Sequence, residues 1–271
     1  MGLCYTTLKF DLLERIGGGE GENSVVYKAF DPQLNAYLVI KKIMKKYGIK
    51  DSNYFDESRI LYECKHSNIM EIRYASEDEE ALYFSMPICK NGSLNNIIEK
   101  KYLSVKEIIK YSLEFLLGIH YIHTKELIHF DIKPTNILID NNNKAIVTDF
   151  GLARYTDLLG FAKPNVTYYS HQPPEGFTYL DYTNKSDIYQ AGVTMYRMCT
   201  CNKMFNLMFN DLKSKGKLKN AIENGKFPDR NFYLPYIPVQ LIKVINKAMS
   251  IDVDKRYDTI LDMINDISKI E

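Results

Sequence analysis

This chain lacks a cysteine framework, an apolar run of membrane length and any excess of charge. Its five cysteines, at 4, 64, 89, 199 and 201, are odd in number and irregular in spacing. In a chain of 271 residues that pattern excludes a disulfide scaffold and points to free thiols in a reducing compartment, with a cytoplasmic location as the expectation. Cys199 and Cys201 have no second pair at zinc-finger spacing and read as buried helix surface. The most apolar stretch, around 108–122, is interrupted by Lys110, Glu114 and His120. No run therefore reaches the roughly 18 apolar residues of a membrane span. No cleavable signal-peptide pattern is present. A formal net charge of +1 gives bulk electrostatics no reason to select nucleic acid. Low-complexity tracts, long linkers and internal repeats are also absent, so nothing separates a further domain.

What remains is the composition of an ordinary folded protein, 45% hydrophobic and 25% charged, in a length that suits one large domain or two lobes around a shared cleft. Residues 1–7 read as a leader. Met1-Gly2-Leu3-Cys4-Tyr5-Thr6 fits the loose pattern for N-myristoylation at Gly2, with Cys4 as a candidate palmitoylation site. Two acyl chains would anchor the protein to a membrane and one would bind only marginally. The plain alternative is an unmodified leader.

From residue 8 to 90 the chain reads as β-rich. Segments 8–16, 25–30 and 37–43 are rich in β-branched and aromatic residues, with Gly, Asp-Pro and Asn between them. A helical rhythm over 51–65 places Phe55, Ile60, Leu61 and Cys64 on one face. Strands are expected near 69–75 and 81–86, and Asn91-Gly92 marks a turn. Beyond it the pattern is helical, with helices expected at 93–101, 104–124, 186–201, 211–224, 238–250 and 258–270. Ser104 followed by Glu107 forms a capping box.

The most informative stretch is Leu127-Ile-His-Phe-Asp-Ile-Lys-Pro-Thr-Asn-Ile-Leu138, followed by Thr148-Asp149-Phe150-Gly151. A carboxylate, Asp131, precedes an amine, Lys133, by two residues. A carboxamide, Asn136, and a second carboxylate, Asp149, follow. This order suits phosphoryl transfer, in which one carboxylate accepts a hydroxyl proton, a cation neutralises the transferring phosphate, and amide and carboxylate oxygens hold magnesium. The competing interpretation is that Asp131 and Asn136 merely cap a loop.

The stretch resembles the catalytic loop of the protein kinase family, and the resemblance extends over about residues 10–265 with motifs in family order and spacing. It implies an α+β fold: an antiparallel sheet lobe with one helix (8–86), a hinge (87–90) and a larger, mostly helical lobe (91–271). It implies Asp131 as catalytic base, Lys133 at the γ-phosphate, and Asn136 and Asp149 as ligands of magnesium, or of manganese in its place. Lys133 matches the serine/threonine branch. His129 and Phe150, with Leu61 and Ile72, match a stack of side chains that the family threads between its lobes.

The nucleotide side follows from the same resemblance. Lys41, in Leu38-Val-Ile-Lys41, matches the lysine that holds the α- and β-phosphates. Glu57 is its expected ion-pair partner by spacing, and Glu63 is the rival on the same helix. The glycine loop, Ile16-Gly17-Gly18-Gly19-Glu-Gly21-Glu-Asn-Ser24-Val-Val26, departs from the family by its extra glycines. Its third glycine position is Ser24, and Glu20 and Glu22 stand near where a triphosphate would lie. Val39 takes the place of a smaller alanine beside adenine. Met86 falls at the back of the pocket, and Pro87-Ile-Cys89 forms the hinge, with the Pro87 carbonyl and the Cys89 N–H facing adenine. Leu138 completes the ATP-binding set. Cys89 would be a partly exposed thiol at the pocket mouth, with a plain buried thiol as the alternative.

Residues 152–172 are expected as the activation segment, closed by Pro173-Pro-Glu175. Glu175 is expected to pair with Arg256, and Asp187 to brace the catalytic loop. Phe130 stands where the family often carries an arginine that binds a phosphorylated activation segment. Activity is therefore expected not to depend on phosphorylation of Thr167, Tyr168 or their neighbours, unless a cation such as Arg154 replaces that arginine. Ser93 and Thr135, at places that are often acidic in kinases preferring basic peptides, leave the substrate consensus open. The resulting expectation is a monomeric, ATP- and magnesium-dependent serine/threonine protein kinase acting on protein substrates, with no nucleic-acid partner and membrane association only through an acylated terminus. The alternatives are a catalytically inactive kinase-like scaffold and, further off, a small-molecule kinase.

Overall fold

The structure, a computed structural model, describes residues 2, 8–17, 24–45, 56–164, 169–177, 182–200 and 202–270. The chain divides into two compact units, one comprising Met1–Lys65 and Met70–Cys89, the other His66–Ile69 and Lys90–Glu271. Four residues expected in the first unit thus belong to the second. The Asn68 side chain donates to the Ala145 carbonyl at 2.9 Å, Val147 N–H donates to the Asn68 carbonyl, and Ile69 bridges Val147.

The first unit is built on an antiparallel sheet of β1 (Asp11–Gly17), β2 (Ser24–Asp31), β3 (Ala36–Met44), β4 (Tyr74–Glu77) and β5 (Ala81–Met86), in the order β1-β2-β3-β5-β4. Its turns follow from short acidic side chains. Asp31 Oδ1 accepts the N–H groups of Gln33 and Leu34, and Asn35 takes the positive φ (51°) that closes the β2–β3 connection. Asp78 Oδ1 does the same for Glu80 and Ala81 between β4 and β5. One face of the sheet buries Ala29, Leu38 and Ile40 under Phe10, Tyr74 and Tyr83. Each fully buried aliphatic side chain contributes about 1.5–3 kcal/mol. The strand expected at 69–75 begins instead at Tyr74, because Asn68 and Ile69 are engaged by the second unit. α1 (Asp56–Glu63) occupies the later part of the helix expected at 51–65; residues 51–55 lie outside the described residues.

The second unit is mostly helical. α2 (Leu94–Lys100), α3 (Val105–His123) and α8 (Ile260–Ile267) each start with a reciprocal capping box, Ser93/Asn96, Ser104/Glu107 and Thr259/Asp262. α4 (Asn184–Thr200) is buried from Ser186 through Thr200 and packs against α3 and α7 (Val239–Ala248). Gly192 makes the close approach to α7 possible, since a Cβ there would stand 2.8 Å from Met249 Cγ. In place of the single helix expected at 211–224 stand α5 (Asn202–Ser214) and α6 (Leu218–Glu223). Gly216 separates them with φ 62°. Its N–H donates to the Lys213 carbonyl and the Lys217 N–H to the Leu212 carbonyl, the Schellman pattern that ends a helix.

Four short strands, which the hydrophobic pattern did not reveal, frame the loops of this unit: β6 (Leu127–Ile128) pairs with β9 (Arg154–Tyr155), and β7 (Ile137–Ile139) with β8 (Ala145–Val147). Among the described residues no helix is long and apolar enough to cross a membrane.

Candidate active site

The β7–β8 hairpin places two site residues side by side. Its register pairs Ile137 with Val147, and Asp140 Oδ1 closes its turn by accepting the N–H groups of Asn142 and Lys144. Asn136 immediately precedes β7 and Asp149 follows β8 by one residue. Thr148 N–H donates to the Asn136 carbonyl at 3.0 Å. Leu138, half-buried, alternates with buried Ile137 and Ile139. Asp149 has φ 65°, a left-handed conformation uncommon outside glycine and more accessible to aspartate than to most side chains. Phe150 next to it is buried and lies against His129, with ring centroids 4.8 Å apart.

Asp131, Lys133 and Asn136 meet in the loop before β7. The Asn136 Nδ2 group donates to Asp131 Oδ2 at 2.7 Å and to the Asp131 carbonyl at 3.0 Å. Lys133 Nζ lies 3.2 Å from Asp131 Oδ1. All three residues are buried. Burial pushes the Asp131 carboxyl up to about 6, and the nearby negative charge of Asp149 adds to the rise against the opposing pull of Lys133 and Asn136. With its amide nitrogen committed to Asp131, Asn136 keeps its oxygen as a hard donor. Asp149 supplies a second. Among the described residues no cluster of three or more His, Cys, Asp or Glu side chains could hold a metal. The donor set instead fits magnesium, which keeps several waters and binds through one or two protein oxygens plus phosphate.

The loop is held from α4. Asp187 accepts the N–H groups of His129 and Phe130, each at 2.9 Å, and lies 2.7 Å from His123 Nε2. Gln190 and Thr194, one and two turns on, also bond the loop backbone. Composition and motif reading missed both. A detectable signal exists: polar residues at 187, 190, 194 and 197 recur at helical spacing along a segment otherwise rich in apolar residues.

Glu175 and Arg256 form a two-pronged pair, with guanidinium–carboxylate distances of 2.8 and 2.7 Å. The Arg256 side chain is fully buried and also donates to the Ser250 and Lys185 carbonyls. Phe130, with φ 67°, is buried in a cluster with Ile128, Ala162 and Tyr182, against which Leu152 packs. Arg154 donates to the Gly151 and Ala153 carbonyls.

In the first unit the pleat sorts the nucleotide-side residues. The register aligns Gly17, Val26, Lys41 and Phe84 in one row across β1, β2, β3 and β5, and Lys28, Val39 and Met86 in the next row on the same face. Ser24 shares that parity on β2. Ile16 is half-exposed on β1. Pro87 and Cys89, partly exposed, follow β5. Gly18, Gly19, Gly21 and Cys4 lie outside the described residues, as do Thr167 and Tyr168. Glu57 falls in α1, and its side chain is likewise outside them. Gly2 is exposed.

A family model described as protein kinase domain matches residues 10–266. The chain is 28% identical over 272 residues to a probable serine/threonine-protein kinase of Clostridium perfringens, covering 97% of this chain and 38% of that protein. It is 31% identical over 210 residues to the hormonally up-regulated neu tumor-associated kinase homolog A of Xenopus laevis, covering 72% of this chain and 30% of the relative. Identity to the serine/threonine-protein kinase PknD of Protochlamydia amoebophila is 24% over 304 residues, covering 98% and 30%. The chain thus spans roughly a third of the length of these curated relatives. With that match over nearly its whole length, the chain belongs to the protein kinase domain family.

Proposed function

We propose that this chain transfers the γ-phosphoryl group of ATP, with magnesium, to serine or threonine hydroxyls of protein substrates. The observation that carries this reading is the buried meeting of Asp131 with Lys133 and Asn136 beside Asp149. Phosphoryl transfer needs little covalent help from a protein, and positioning with charge neutralisation supplies most of the rate. Asp131 orients the acceptor hydroxyl and takes its proton late. Lys133 places positive charge where the transferring group gains negative charge. Asn136 and Asp149 hold magnesium through oxygen. Bound magnesium would supply neutralisation of the polyphosphate. Lys41, on the same sheet face as Val39 and Met86, binds the α- and β-phosphates. Lys133 in this loop favours serine/threonine specificity, and the irregularly spaced cysteines, with Cys199 a buried thiol, suit a reducing, cytoplasmic setting.

Transfer proceeds without phosphorylation of the activation segment. An arginine at position 130 would offer a phosphorylated segment a charge to pair with. Phe130 instead packs edge-on against Tyr182, with centroids 5.5 Å apart, and Ala162 and Tyr182 exchange backbone hydrogen bonds at 2.9 and 3.1 Å. Apolar burial and a backbone bridge hold this part of the segment, and neither requires an added charge.

The test uses purified chain, labelled ATP, magnesium and a generic basic protein, followed by phosphoamino-acid analysis. Phosphoserine or phosphothreonine is expected, with a loss of about 10²–10⁴-fold in Asp131→Asn and loss of transfer in Asp149→Ala and Lys41→Met. Bound nucleotide without transfer by the wild-type chain would overturn the reading in favour of a non-catalytic scaffold.

A further inference from the structure

Asp131 stands between two peptide groups held by a single distant side chain. Gln190 Nε2 donates to the Phe130 carbonyl at 2.8 Å, and the Ile132 N–H donates to Gln190 Oε1 at 2.9 Å. These bonds straddle Asp131 and use both ends of one carboxamide. Thr194 Oγ1 donates to the Ile132 carbonyl at 3.2 Å. The Phe130 N–H goes to Asp187, the Asp131 N–H to His129 Nδ1 at 3.2 Å, and the Asp131 carbonyl accepts from Asn136. Every backbone donor and acceptor from Phe130 to Ile132 is therefore engaged by a side chain, in a place where water cannot stand in.

The arrangement has a steric reason. Phe130 has φ 67°, which a bulky side chain avoids unless its surroundings impose it. Asp187 restrains only the N–H side of that peptide. The carbonyl side, which sets the direction in which Asp131 leaves the chain, is restrained by Gln190. A hydroxyl at position 190 could not reach both groups, and a carboxylate could accept but not donate. Gln190 is itself buried in α4, where a carboxamide is tolerated only with both ends bonded.

We propose that Gln190 is a positioning residue for phosphoryl transfer, its carboxamide locking the peptides on either side of Asp131 and so aiming the Asp131 carboxylate. The proposal rests on the reading of Asp131 as the group that orients the acceptor hydroxyl. A displacement of the order of an ångström at a reacting group lowers rate by about 10²-fold.

The experiment compares the whole chain with its Gln190→Met, Gln190→Glu, Thr194→Val and Asp131→Asn variants. Active-site concentration is fixed by nucleotide titration. Gln190→Met keeps the length and removes both bonds; kcat should fall about 10–100-fold while KM for ATP stays within about twofold. Gln190→Glu, which keeps the acceptor, should fall between Gln190→Met and the wild type. A purely structural role would lower the active fraction and leave kcat per site unchanged. Independently of turnover, the Asp131 and Ile132 amide protons should exchange about tenfold faster in Gln190→Met, which releases the peptides on either side of Asp131, while the β7–β8 amides keep their wild-type rates. Should Gln190→Met fail to fold, Gln190→Glu and Thr194→Val carry the same two readouts. A kcat per site within twofold of wild type, or unchanged exchange at Asp131 and Ile132, overturns the proposal. Equal transfer by wild type and Asp131→Asn would instead overturn the role given to Asp131, and the amide exchange would then decide whether Gln190 locks the loop.

Discussion

The sheet and the loop before β7 place their candidate site residues by different means. In the sheet the pleat suffices. Alternation along β3 sends Leu38 and Ile40 into the apolar cluster and Val39 and Lys41 to the other face, and continuous pairing with β2 and β5 extends that sorting across neighbouring strands. In the loop no period operates. Leu127 to Asn136 contains two strand residues and one short 3₁₀ turn, and its shape is imposed by side chains of α4 that stand 57 to 62 positions further on. A sheet position therefore tolerates changes on its far face. A loop position depends on a few buried polar side chains, each with no substitute.

The largest expected contrast is between ion pairs. Arg256 and Glu175 are joined in two places and the arginine side chain is fully buried. Arg256→Met strands the Glu175 carboxylate and should lower unfolding free energy by about 3–5 kcal/mol. Lys45–Glu77, on the sheet, is as short at 2.7 Å but partly exposed, and Lys45→Met should cost less than about 1 kcal/mol. Urea unfolding of both variants checks this. Equal losses would mean that the two units are held alike.

A buried carboxylate opposes stability. Asp131 titrates near 6 in the native chain, against an unperturbed value of about 3.9. Between about pH 4 and pH 6 the native state holds a proton that the unfolded state has released, so stability falls as pH rises through that window. Above about pH 6 the full penalty, about 3 kcal/mol, is present. Asp131→Asn does not titrate and should be more stable than wild type by up to about that amount at pH 7, while losing turnover. The gain should vanish below about pH 4. Thermal unfolding from pH 4 to 8 measures it, and a pH-independent difference would show that Asp131 is not held out of water.

How far the sequence revealed these features follows from the same contrast. The sheet strands 11–17, 24–31, 36–44 and 81–86 were readable because hydrophobic and turn residues alternate locally, and α3 because Ser104 and Glu107 announce its start. The stretch around Ile69 misled because its apolar residues serve partners in the second unit. The split between α5 and α6 turned on one left-handed glycine, Gly216, inside an otherwise helical pattern. In the site, the chemical groups Asp131, Lys133, Asn136 and Asp149 were legible as a motif. Gln190 and Thr194 were legible only as polar positions at helical spacing, because a buried polar side chain declares its purpose only when its partner, far away in the chain, is known.

Removal of phosphate should separate the activation segment from a phosphate-gated one. Phe130, Tyr182, Ala162 and Ile128 are joined by apolar contact, so phosphatase treatment should change kcat/KM by less than about tenfold, or about 1.4 kcal/mol. Phe130→Arg inverts the logic: a guanidinium replaces the aromatic contact with Tyr182, and activity should become sensitive to phosphatase. A loss above tenfold in the wild-type chain would show that charge, supplied by another cation such as Arg154, holds the segment after all.

The smallest effect returns to the sheet. Ile40 is fully buried on the face opposite Val39 and Lys41. Ile40→Val removes one methylene and should cost about 0.5–1.5 kcal/mol of stability, because the pleat still delivers Lys41 to its own face. Turnover and KM for ATP should stay within about twofold of wild type. Thr194→Val, which keeps the volume and removes one bond to the Ile132 carbonyl, should cost a similar amount of stability yet lower kcat more. Stability and kinetics measured on the pair decide between the two modes of placement, since a common ratio of lost rate to lost stability would mean that the loop is as tolerant as the sheet.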